Sequence, residues 1–458
     1  MRLSILFFLL LISRSSYAQE LLTEIAAQGK IDNISGMTIE EDVFITMDVV
    51  NPNGKKSSKS YLIQKDGSKS EVDLTAILGK YLIGGVREGE NTYFYYIYEK
   101  SDRVLIEAMR IDNKTGKGVV LSNSMDVPGK IYGSYVENGS LFMLCGIKKE
   151  FTLRLLQFQS GTLIKQTNFP LSINLAKKKE GIVSFFDTGY PVSPKQAAAV
   201  IKIVKEGKVI WITFDEPMPD YDYTATEATV FKTTAIRLDL ETEKVEIKAF
   251  FESQRHPFTS SMFNGNLYRL VIESRSMRID QFNFTTGKLV KSTPLDRGTE
   301  PGRDSTYAHI SGRFKTEKDV KGAAIIKRVF GYLLIVDSLS STEKFLTVGH
   351  YGDHIIAVIG PASVAGLIVT AASLIVREVA EGPISTVYSY YRGSMDKGFT
   401  ATYKSPFVRK VMDDYEYRQL ISGVRYDYRG YLDIPGATCA IYQKDKSKTI
   451  QILKFENK

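Results

Sequence analysis

A six-residue pattern, apolar–x–apolar–apolar–x–apolar with a turn after it, returns along this 458-residue chain and narrows what it can fold into. It reads IEAMRI at 106–111, LRLLQF at 153–158, TTAIRL at 233–238, IDQFNF at 279–284 and IQILKF at 450–455. Weaker copies are SYLIQKDGSK from Ser60 and GYLLIVDSLSSTEK from Gly331. Alternation places every second side chain on one face of a strand. The doubled apolar pair in the middle breaks strict alternation, which suits either a bulge or a strand buried on both faces. The residues that follow, such as DNKTGK at 112–117 and TTGK at 285–288, supply turn chemistry. Glycine accepts positive φ, and Asx side chains bond the local backbone.

A second element precedes the copies: NTYFYYIY at 91–98, GSLFMLC at 139–145, GKVIWITF at 207–214 and GNLYRLVI at 265–272. Each unit therefore holds at least an antiparallel hairpin with a further strand beside it. The clear copies start at 106, 153, 233, 279 and 450, so the intervals are 47, 80, 46 and 171 residues. A strand-only period of about 45–55 residues resembles the blades of β-propellers. The resemblance implies an all-β fold, one domain over 19–458, and six to eight blades with seven preferred. The two long intervals imply insertions near 171–230 and 355–420, the second leaving room for one or two further blades. The last copy ends at a third strand. The segment 21–31 is expected to supply the missing edge strand and close the ring, hiding both edges. No WD dipeptide with Gly-His, kelch double glycine or Asp-box repeat singles out a family. Irregular intervals disfavour a solenoid, and paired sandwiches rarely repeat one strand-and-turn signature five times.

The first residues, MRLSILFFLLLISRSSYAQE, combine Arg2, an apolar run over 3–12 and small residues Ser16 and Ala18. That is a secretory signal with cleavage near Ala18, so the chain is expected to be extracellular or periplasmic. Export permits a disulfide between Cys145 and Cys439. Both sit in apolar strand-like runs, where two buried free thiols fit equally well.

The stretch 355–376 is 22 residues without a charge. Its length suits a membrane span, but Gly360-Pro361 and Gly366 interrupt it and strand pattern resumes beyond. Buried strands or an apolar insertion are the preferred reading. Composition allows a large core, with 43% hydrophobic and 24% charged residues, so wholesale disorder is excluded. A net charge of +8 is too dilute over this length for a nucleic-acid footprint.

His350 and His354 flank Gly352-Asp353, which reads as a turn between strands, so their spacing does not define a metal site. The segment 215–223, after the strand of Trp211, places Asp215, Glu216, Asp220, Tyr221, Asp222 and Tyr223 within nine residues. It lacks the order of a calcium loop but suits recognition of sugar or protein. The polar segment 296–307 adds Arg297, Arg303 and Asp304. Gly-x-Ser-x-Gly, His-Glu-x-x-His, P-loop and Gly-x-Gly-x-x-Gly motifs are absent from the sequence, and neither cofactor nor metal is expected. These features favour an exported, non-catalytic binding or scaffolding module. It would recognise a protein or cell-surface glycan through face loops near Trp211, Tyr221, Tyr223 and the 296–307 segment, with Trp211 among the aromatic anchors within polar rims. The alternative is a hydrolase or lyase acting on polysaccharide through carboxylates at the propeller mouth.

Overall fold

The computed structural model describes residues 19–77, 80–100, 103–147, 150–173, 175, 183–187, 201–217, 229–254, 259–272, 277–294, 306–311, 344–351, 354–361, 386–395, 401–402, 426–434, 437–444 and 448–456. They form thirty strands and one 3-10 turn, Thr75–Ile77. The strands lie in seven sheets, and the fold is a β-propeller. Five of the sheets are four-stranded, joined throughout by antiparallel pairing. The first four in chain order run Lys30–Ile39 to Val72, Tyr81–Glu88 to Asp126, Lys130–Glu137 to Pro170, and Val183–Asp187 to Gln254. The fifth runs from Thr259–Phe263 to Pro294, and the sixth gathers strands between Thr306 and Thr402. The last is built from Tyr426–Ile434, Ala437–Lys444, Thr449–Glu456 and, at its outer edge, Gln19–Ala26.

The repeated hexapeptide forms the strand next to the outer edge of its sheet, the third strand in four copies and the fourth in the five-stranded sheet that holds 233–238. Ile106 and Ala108 pack with Cys145, Leu156 and Phe158 of the third sheet, whereas Met109 and Ile111 pack with Phe44 and Leu62 of the first. In the next copy Leu153 and Leu155 face the fourth sheet, and Leu156 and Phe158 face back to the second. The pattern therefore marks a strand covered on both faces, one pair forward and one pair back. Sheet twist lets each neighbour cover only part of each face, which leaves the two x positions for polar side chains. Pairing of this strand with the second strand is unbroken across the doubled pair. Bulges recur in inner strands, where Asp32, Ile83, Tyr132 and Arg429 are the extra residues, and where the repeated strand pairs with its outer neighbour, the register shifting at Ile106/Ala108, Gln157/Phe158 and Gln281/Phe282. Each bulge sharpens local twist.

No single core exists among the described residues. Apolar clusters lie between successive sheets, from the last and first round to the fourth and fifth. Each buried Ile or Leu in these wedges contributes roughly 1.5–3 kcal/mol relative to exposure. The turns after the third strands knit the wedges at their outer side. Gly116 (φ 68°) lies so close to Glu71 of the preceding outer strand that a Cβ would stand 2.1 Å from its carbonyl oxygen. Asp73 N–H donates to the Gly116 carbonyl at 3.2 Å. Glycine is needed there for both conformation and space.

Two sheets depart from the plain repeat. The fourth carries Val183–Asp187 on its inner edge, paired parallel with Ile201–Glu206. A parallel pair needs a long crossover, which accounts for much of the 80-residue interval. In the sixth, Thr306–Ser311 comes before the inner strand in sequence yet pairs with Thr386–Met395 as the outer strand. Among the described residues, one sheet lies between the copies at 279 and 450.

Other expectations meet the structure as follows. The missing edge strand is Gln19–Ala26 rather than 21–31, because Lys30 already opens the next inner strand. The uncharged run begins within the strand His354–Pro361, which is paired on both sides, with Tyr351 opposite His354. Positions 362–385 and the weak copy from Gly331 lie outside the described residues. No helix among the described residues is long and apolar enough to cross a membrane. Cys145 and Cys439 are both buried, and no disulfide joins them.

Candidate functional site

The strand Val209–Pro217 leads toward the acidic, tyrosine-bearing segment singled out above, and alternation sends Trp211 and Asp215 to the same face, toward the fifth sheet. Trp211 is not a surface anchor. It is only 5% exposed and packs with Val204, Phe250, Met262 and Leu267. Its ring meets Phe284 edge-on at 4.9 Å, and its indole N–H donates to Glu206 Oε2 at 2.8 Å. An aromatic residue in the middle of a strand covered on both sides belongs to the wedge. Glu216, on the opposite face, lies 3.6 Å from Lys232, its cross-strand partner.

Asp215 is the hub of a polar network joining two sheets. Its Oδ1 accepts from Thr233 Oγ1 at 2.5 Å and from Ser260 Oγ at 2.7 Å, and its Oδ2 accepts from the Ser260 N–H at 2.8 Å. Arg269, fully buried, donates to Thr233 Oγ1 at 3.3 Å and lies 4.9 Å over the Phe282 ring. Beside them Lys202 Nζ donates to Thr259 Oγ1 and to the Ser260 carbonyl, each at 2.7 Å. Burial pushes the Lys202 ammonium down to about 8, with Asp215 opposing the shift. A buried charge persists only when its hydrogen bonds are met, and here every contact crosses to the neighbouring sheet or strand. Lys202, Thr233 and Ser260 are each below 4% exposed, so the network offers no nucleophile to solvent. It works as a clamp between the fourth and fifth sheets.

The clamp fixes where the loops leave. Ile201 pairs with Phe214 and Pro217 with Phe231, so 218–228 departs from the edge that holds Asp215. In the fifth sheet Thr259 pairs with Leu270, and Arg278 pairs with Pro294. The segment 295–305 therefore leaves from the edge that holds Ser260. The roots of both segments are held on one side of the fold, across a shared interface. Asp220, Tyr221, Asp222, Tyr223, Arg297, Arg303 and Asp304 themselves lie outside the described residues.

Lys202, Thr233, Ser260 and Arg269 were not anticipated from sequence. The signal was present in IKIVKE at 201–206 and LYRLVI at 267–272, where a charge interrupts a run that burial demands be apolar. Among the described residues no group of three or more His, Cys, Asp or Glu side chains is placed to hold a metal ion.

No protein-family model matches the chain, and no curated protein matches it in sequence. Among solved structures it is similar to the β-propeller domain of the Trilobed protease from Pyrococcus furiosus, at 7% identity and TM-score 0.36, over 94% of this chain and 97% of that one. It is similar also to Pyrococcus horikoshii acylaminoacyl peptidase, at 7% identity and TM-score 0.37, over 92% of this chain and 51% of that one. A third is a subtype N10 neuraminidase-like protein of A/little yellow-shouldered bat, at 7% identity and TM-score 0.29, over 84% of this chain and 100% of that one. Likenesses this distant say nothing about the chemistry of the site.

Proposed function

We propose that this chain is an exported, non-catalytic recognition module. It binds a protein or a cell-surface glycan through loops on one side of the propeller, above the fourth and fifth sheets. The observation that carries this reading is the Asp215–Ser260 clamp, which roots 218–228 and 295–305 at one edge. Rigid roots reduce the ordering cost that loops otherwise impose on binding. On this reading Tyr221 and Tyr223 are the aromatic anchors, and Asp220, Asp222, Arg297, Arg303 and Asp304 form the polar rim. Trp211, Asp215 and Glu216 support that surface from below.

The same reading takes the seven sheets as one closed ring and the leader as removed after Ala18. Cleavage there makes Gln19 the first residue, and Gln19 is the first residue of the strand that pairs with the chain's last strand, opposite Phe455. Edman sequencing of the exported chain should then begin at Gln-Glu-Leu.

The test is binding of the full mature chain to an immobilised glycan library and to the surface of the producing cell. Tyr221→Ala with Tyr223→Ala should weaken binding at least tenfold while leaving the melting temperature unchanged. Equal binding by the double variant would reject these anchors. Cleavage of a bound polysaccharide would replace the binding module by the hydrolase or lyase.

A further inference from the structure

The side of the second sheet on which Lys80 lies carries an arrangement that the reading above does not use. Strand Asn91–Lys100 presents Tyr96 and Tyr98 with ring centroids 6.2 Å apart. Both hydroxyls donate to one carboxylate on the adjacent strand: Tyr96 to Glu107 Oε2 at 2.8 Å, and Tyr98 to Glu107 Oε1 at 2.6 Å. These bonds fix both rings. The acidity of both phenols is lowered accordingly: burial foremost for Tyr96, the bond to Glu107 foremost for Tyr98.

A single cation sits in this box. Lys80 Nζ stands 4.5 Å from the centroid of Tyr96, 4.5 Å from that of Tyr98 and 3.7 Å from Glu107 Oε2. It is held by two ring faces and a carboxylate beyond hydrogen-bond reach. That is the way aromatic cages hold alkylammonium groups. Lys80 comes from the link between the first and second sheets, directly before strand Tyr81–Glu88. Its side chain is 25% exposed, so the box opens toward solvent along the lysine stem. Tyr81, 70% exposed, stands next to it in the chain.

We propose that Tyr96, Tyr98 and Glu107 form a binding site for an organic ammonium group, and that Lys80 is its internal occupant, displaced when a ligand carrying such a group arrives. The ligand class is a methylated or quaternary amine. Its larger, weakly hydrated cation fills the space between two rings better than a primary ammonium, and it needs no hydrogen bond from Glu107. This site is independent of the loops above the fourth and fifth sheets.

The experiment uses the full mature chain and tetramethylammonium chloride as probe, with sodium chloride at equal ionic strength as control. Lys80→Ala should bind the probe saturably in calorimetric titration, at least tenfold more tightly than the wild type, whose own lysine competes. Lys80→Ala combined with Tyr98→Ala should bind no more than the control. A folded Lys80→Ala chain that shows no saturable binding overturns the proposal. A second measurement needs no variant: reductive methylation of the wild type followed by peptide mass spectrometry. Labelling of Lys80 should rise at least threefold with the probe, while exposed Lys56 stays constant. If Lys80 labelling is unmoved, its contacts are a structural stitch and the proposal falls.

Discussion

Gly67 lies against Leu22 so closely that a Cβ on it would stand 2.2 Å from the Leu22 carbonyl oxygen. Leu22 belongs to the N-terminal strand Gln19–Ala26, whereas Gly67 turns the chain between the third and fourth strands of the first sheet. This repeats the contact of Gly116 with Glu71 one sheet later. The first strand of the chain is thus docked in the same way as an outer strand that is contiguous with its own sheet. Gly67→Ala meets both a positive φ of 82° and a backbone clash, whereas Gly54→Ala meets a φ of 76° and open space. Gly54→Ala should cost about 1 kcal/mol, and Gly67→Ala about 3 kcal/mol or more. Urea unfolding of the two variants checks the difference.

Removal of 19–26 should act on the same joint. Leu22 and Ile25 are buried in the cluster between the last and first sheets, and the strand covers the edge of Thr449–Glu456. A chain that begins at Ala27 loses that burial and exposes a hydrophobic strand edge. It should melt at least 5 °C lower and self-associate, as read by calorimetry and light scattering, while a chain beginning at Gln19 stays monodisperse.

Lys202 predicts a pH dependence whose sign follows from its burial. Its ammonium titrates near 8 in the folded chain against 10.5 ordinarily. Between those values the unfolded chain binds more protons, so stability rises with pH, by at most about 1.4 kcal/mol per unit for one group. Asp215 is the charged neighbour that opposes the shift. Above pH 10 the trend reverses, because burial holds Tyr95 and Tyr132 protonated up to about 12 in the folded state. Urea unfolding at pH 7.5, 8.5 and 9.5 should show the rise in the wild type and a flatter profile in Lys202→Met.

Trp211 is the single tryptophan and Cys145 and Cys439 are the two cysteines, so all three report burial cleanly. Native fluorescence should be blue-shifted and resistant to iodide. Burial raises the Cys145 thiol to about 12, which leaves almost no thiolate at neutral pH. A disulfide-exchange reagent should find no fast-reacting thiol in the folded chain and two in denaturant. Asp215→Ala should make both probes accessible at lower urea, since it strands Thr233, Ser260 and the Ser260 N–H, at a cost of about 3–5 kcal/mol.

The blades were legible because a strand covered on both faces must be apolar on both, and twist limits each face to two residues. That signature survives in one dimension as the hexapeptide, from Ile106 to Phe455. The candidate site was only partly legible. The acidic, tyrosine-bearing segment stands out by composition, but Trp211 read as an exposed anchor is a core residue, because a strand's alternation does not say what covers each face.

Local pattern, then, determined the strands, their hairpin turns and the expectation of a wheel of sheets, since these rest on residues a few positions apart. Tertiary structure alone supplied the rest. It brought Lys202 to Ser260 and Gly67 to Leu22, inserted a parallel strand into the fourth sheet, and drew the outer strand of the sixth from upstream. Each of these depends on which sheets become neighbours, and that follows from packing across tens to hundreds of residues, which no local periodicity encodes.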